Sequence, residues 1–116
     1  MKLEELKKLT ANYRKEVGIG KPATNREGKE ITEQSRSIWF DRHTIEKLLA
    51  QTDEKMGGLK IFFAEYGSDY LEESGHDYTG QLTVVLAASN DNEDPTKDEQ
   101  IENAGQLCPP HCGGDI

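Results

Sequence analysis

The chain has 116 residues with a formal net charge of −8; hydrophobic residues make up 34% and charged residues 31%. That length suits one small domain with a modest core and excludes two independent ones. Residues 1–60 carry 13 Lys and Arg against 10 acids, whereas residues 61–116 carry Lys97 alone against 12 acids. Phosphate recognition draws on Lys and Arg, so this distribution argues against a nucleic-acid partner.

In "MKLEELKKLTANYRKEVGIG" the side chains of Leu3, Leu6, Tyr13 and Val17 recur at helical spacing with Leu9 beside them. The spacing predicts an amphipathic helix within residues 1–20, ended by the glycines at 18 and 20 and by Pro22. The same stretch is charged where a secretory leader is apolar, and no apolar run approaches the roughly 20 residues of a membrane helix. The expectation is a cytoplasmic protein with no membrane partner. Residues 21–36 show no sustained period and read as a polar connector, with a turn or short edge strand near Ile31.

"SIWFDRHTIEKLLAQTDEKMGG" carries the clearest local signal. Ile38, Trp39 and Phe40 favour a strand, and Asp41 is a good N-cap for the helix that follows. On that helix Ile45, Leu48, Leu49 and Met56 make the buried face, with Gly57 and Gly58 as the stop. "GLKIFFAEYG" then places Leu59, Ile61 and Phe63 on one strand face and Phe62, Ala64 and Tyr66 on the other. "GQLTVVLAAS" alternates in the same way, and the short segment between the two predicts an antiparallel hairpin with a long loop.

Residues 37–89 therefore read as a strand, helix and hairpin core of one α+β domain spanning 1–116. Its antiparallel sheet has three or more strands, with two helices on one face. Residues 90–116 read as an acidic arm in which Thr96 and Glu99 open a short helix ended by Gly105.

Two groups of residues are candidate sites. Cys108, His111 and Cys112, in "GQLCPPHCGG", supply thiolate and imidazole, the donors zinc prefers, although a structural zinc site needs a fourth ligand. A zinc clasp, a thiol switch, a disulfide loop and a pair of buried small apolar residues are all compatible with this segment. In the loop between the long strands, Tyr70, Glu72, Glu73, Asp77 and Tyr78 mix aromatic and acidic side chains, as a protein-binding surface does; packing of the aromatics onto the loop's own sheet is the alternative. No phosphate cradle, nucleophile elbow or metalloprotease motif is present, which leaves an enzyme without support and no cofactor implied.

The order of these elements, closed by "CPPHC", resembles a group of small uncharacterised bacterial proteins that end in Cys-Pro-Pro-x-Cys. The resemblance implies that the tail belongs to the fold, and it carries no activity or site residues with it. The functional expectation is a non-enzymatic accessory or adaptor protein acting on another protein, with a zinc-binding or thiol-based sensor as the alternative.

Overall fold

The computed structural model describes residues 1–18, 23–68 and 76–116. Their elements are α1 (Leu3–Tyr13), β1 (Ser37–Trp39), α2 (Arg42–Leu49), β2 (Gly57–Glu65), β3 (Leu82–Asn90), β4 (Ile101–Glu102) and β5 (Gln106–Cys108). A three-stranded antiparallel sheet in the order β2-β3-β4 and a two-stranded sheet of β1 and β5 make this an α+β fold. The chain divides into two compact units assembled from separated stretches, 1–38 with 65–83 and 107–116, and 39–64 with 84–106.

In the first unit, α1 begins with Glu4 and Glu5 in its first turn, where carboxylates complement the helix dipole. It continues through Arg14–Gly18 as a wider, π-type turn. The expected apolar stripe is present but uncovered: no residue of α1 is buried, and Leu3 and Leu9 are more than half exposed. What fastens the helix is polar, the Tyr13 hydroxyl donating to the Ser35 carbonyl oxygen.

The connector is more ordered than its composition suggests. Residues 23–31 form a small hairpin through a bridge between Thr24 and Glu30. The Asn25 side-chain oxygen accepts from the N–H groups of Glu27 and Lys29 at 3.0 and 2.9 Å, which turns the chain locally. Gly80 lies against this hairpin with φ +86°, and an added Cβ would stand 2.7 Å from Ile31 Cδ1 and 2.9 Å from the Thr24 carbonyl oxygen. Only glycine satisfies both the left-handed backbone and that approach.

In the second unit, the Asp41 carboxylate accepts from the Thr44 N–H at 2.8 Å and caps α2, as its side chain predicts. The helix buries Leu48 against Leu86 and Ala88, with Phe40 and Leu59 closing the cluster. It ends at Leu49, earlier than expected. The reason lies in Asp53, whose carboxylate takes the N–H groups of Lys55 and Met56 at 2.9 and 2.8 Å and competes with helical bonding. Leu49 and Met56 are exposed, and Gly57 and Gly58 open β2 instead of closing α2.

The third strand differs from expectation too. Ser37–Trp39 pairs with the C-terminal β5, and β4 takes the place beside β3, with Leu86 opposite Glu102 and Ala87 opposite Ile101. The helix expected from Thr96 to Gly105 contracts to a single 3-10 turn at Asp98–Gln100. Gln100 causes this by folding its side-chain oxygen back onto the N–H groups of Thr96 and Lys97 at 2.8 and 3.0 Å. The acidic segment before it docks through Asp94 and the Asn92 carbonyl oxygen, which hold the Lys60 ammonium at 2.7 and 2.9 Å.

Candidate thiol site at the C-terminal ring

β5 ends in two buried residues, Leu107 and Cys108, of which Cys108 is only 2% exposed. Leu107 packs with Tyr66, Tyr78 and Ile38, an apolar nucleus that explains why this short strand holds its place. The Arg36 N–H donates to the Cys108 carbonyl oxygen at 2.7 Å, continuing the pairing with β1. Beyond Cys108 the chain turns through Pro109 and Pro110, both after cis peptide bonds, and the His111 N–H donates to the Leu107 carbonyl oxygen at 2.8 Å. Cys112 returns to Cys108 and forms a disulfide with it, the two Cα atoms 4.8 Å apart.

The two sulfurs have unlike surroundings. Cys112 is exposed, whereas the Sγ of buried Cys108 receives an N–H from Arg36 Nε at 3.0 Å. The Arg36 side chain is itself 15% exposed and is oriented by Glu33, 3.7 Å from Nη1. On the ring's other side Gln81 Nε2 donates to the Pro109 carbonyl oxygen at 2.9 Å and to Ser35 Oγ at 3.3 Å. An open cavity of about 450 Å³ adjoins Cys108, lined by Leu6, Thr10, Ser37, Ile116 and the glycines at 113 and 114.

In this structure the pentapeptide is closed as a disulfide. With the cysteines joined, neither sulfur is a thiolate donor, and His111 stands exposed. Among the described residues no group of three or more His, Cys, Asp and Glu side chains could hold a metal ion. A disulfide loop that also buries one cysteine combines two of the alternatives left open by the sequence.

Of the loop residues offered as a partner surface, Tyr70, Glu72 and Glu73 lie outside the described residues. Tyr78 is a correction: it is 4% exposed, 5.6 Å from the Tyr66 ring and edge-on to His76 at 4.4 Å, so its ring belongs to the core under β5. Asp77 is a turn residue whose carboxylate accepts from the N–H groups of Thr79 and Arg26 at 3.0 and 2.9 Å. The N–H groups of Thr79 and Arg26 hold its pKa down at about 2, below the ordinary 3.8.

A depressed carboxyl contributes stability that is present above the ordinary value and lost as the pH falls through the depressed one. Acidification from about pH 4 to 2 is therefore expected to loosen the turn at residues 77–79 and its link to Arg26, read as faster amide exchange at Arg26 and Thr79. Asp77→Asn should remove that pH dependence.

The sequence offered no signal for Gln34, Arg36 and Gln81, the residues that hold the ring's surroundings together. All three are polar, and two fall in a stretch without periodicity. No protein family, curated protein or solved structure that was compared with this chain matches it. Among the described residues, no helix is long and apolar enough to cross a membrane.

Proposed function

We propose that the chain is a non-enzymatic cytoplasmic accessory protein that acts by binding another protein. The observation that carries this reading is the outer face of β2. Ile61 is 54% and Phe63 92% exposed, two residues apart on one face of a strand at the edge of its sheet. A phenylalanine left in water forgoes roughly 2 kcal/mol of burial, and such residues serve as anchors when a partner covers them. The partner that fits is a protein with a basic surface around an apolar pocket, since residues 61–116 carry 12 acids against one lysine.

The test is native mass spectrometry and sedimentation of the full chain purified gently from its own cells. The expected result is a bound basic protein that is released as salt rises and whose affinity falls at least about tenfold in Phe63→Ser. Leu49→Ser, at another exposed leucine of the same unit, should leave it bound. Retention of the partner by Phe63→Ser, a free monomer at low salt, or a dimer of the chain alone would each contradict the reading.

A second reading, a thiol-based sensor, is favoured by the ring. Disulfides in a reducing cytoplasm are usually transient and redox-sensing, and this one joins an exposed cysteine to a buried one that has a cation beside its sulfur. Zinc on Cys108, His111 and Cys112 would require the reduced segment and a fourth ligand. The resemblance to small proteins ending in Cys-Pro-Pro-x-Cys supports a tail that is part of the fold.

A further inference from the structure

The asymmetry of the ring specifies how it would open, an inference that rests on the thiol-based reading. We propose that an external thiolate attacks Cys112 Sγ and that Cys108 leaves as the thiolate, with Arg36 as the positioning residue that receives it. The attacking sulfur bonds to Cys112 Sγ, the bond between Cys112 and Cys108 breaks, and its electron pair stays on Cys108 Sγ. A second thiol of the reductant then attacks the mixed disulfide. The reductant leaves oxidised to its own disulfide, and Cys112 takes up a proton.

Three observations select this direction. Cys112 is exposed whereas Cys108 is 2% exposed, so an approaching sulfur meets Cys112. The Arg36 Nε–H already points at Cys108 Sγ from 3.0 Å, and the leaving sulfur acquires negative charge where that donor stands. A departing thiolate is stabilised by the neighbouring guanidinium, whereas burial without a cation would oppose its charge. Arg36 is also preorganised. Its backbone N–H is bonded to the Cys108 carbonyl oxygen, and its guanidinium is paired with Glu33.

The attacking chemistry is a thiolate, which a small monothiol or a dithiol protein can supply. Oxidised full-length protein is exposed to limiting glutathione, quenched with N-ethylmaleimide and mapped by peptide mass spectrometry. Glutathione is expected on Cys112 and maleimide on Cys108, in at least about tenfold excess over the reverse pattern. Opening by dithiothreitol is expected to slow about tenfold in Arg36→Met and to recover to within about threefold in Arg36→Lys, which restores the charge.

Circular dichroism checks that both variants remain folded, and the trapping pattern in wild type tests the direction of attack independently of them. Parallel rates with glutathione and thioredoxin distinguish the source: a protein dithiol is indicated when thioredoxin is faster at equal thiol, a small thiol when it is not. Glutathione on Cys108, or Arg36→Met opening at the wild-type rate, would overturn the proposal while leaving a reducible ring. A ring that resists dithiothreitol altogether would overturn the sensor reading with it.

Discussion

Replacing Gln34 with methionine is expected to lower the stability of the unit that contains it by about 3 kcal/mol, although the side-chain volume barely changes. Gln34 is 2% exposed and uses both ends of its amide. Its oxygen accepts from the N–H groups of Ser35 and Leu82 at 2.8 and 2.7 Å, and its nitrogen donates to the Gly80 carbonyl oxygen at 3.1 Å. Methionine fills the space and leaves three backbone groups without their partner, and each buried group so stranded costs roughly 1–3 kcal/mol. Urea unfolding followed by near-ultraviolet circular dichroism of Tyr66 and Tyr78 measures it. A change below about 0.5 kcal/mol would show that water replaces the amide without penalty.

Leu48→Ala is expected to cost a similar amount, about 3 kcal/mol, for the opposite reason. Leu48 is 1% exposed and forms no polar contact to lose; its truncation opens a cavity between α2 and β3 beside Leu86, Ala88, Phe40 and Leu59. Leu49 provides the internal contrast. It follows Leu48 on the same helix at 40% exposure, so Leu49→Ala should cost well under about 1 kcal/mol. Urea unfolding followed by far-ultraviolet circular dichroism measures both losses. Equal losses at the two leucines would mean that α2 is not seated on the sheet through Leu48.

These two sites mark what the sequence makes legible. The α2 cap at Asp41, the buried Leu48 and the strands β2 and β3 follow from side-chain chemistry and periodicity, and so does the α+β class. Gln34 could not be read in this way, because a buried glutamine bridging backbone groups leaves no period and looks like a solvated connector. The ring was legible as a set of alternatives: spacing permitted metal, thiol or disulfide, and the choice depended on where β1 and Gln81 hold Leu107 to Pro109. The acidic arm misled because its capping signal is local, and Gln100 takes the Thr96 and Lys97 N–H groups without extending a helix. On β2 the alternation was correct while burial did not follow it, since an apolar face is covered only where a neighbour reaches it.

The account turns on the closure of the segment from Cys108 to Cys112. Intact-mass spectrometry of the full chain, purified from its own cells without reductant or chelator, tests that directly. The expected result is a mass two hydrogens below that of the reduced polypeptide, restored by dithiothreitol, with no metal in the native spectrum. The fully reduced mass, or a native mass increased by a zinc ion that denaturation removes, would contradict it.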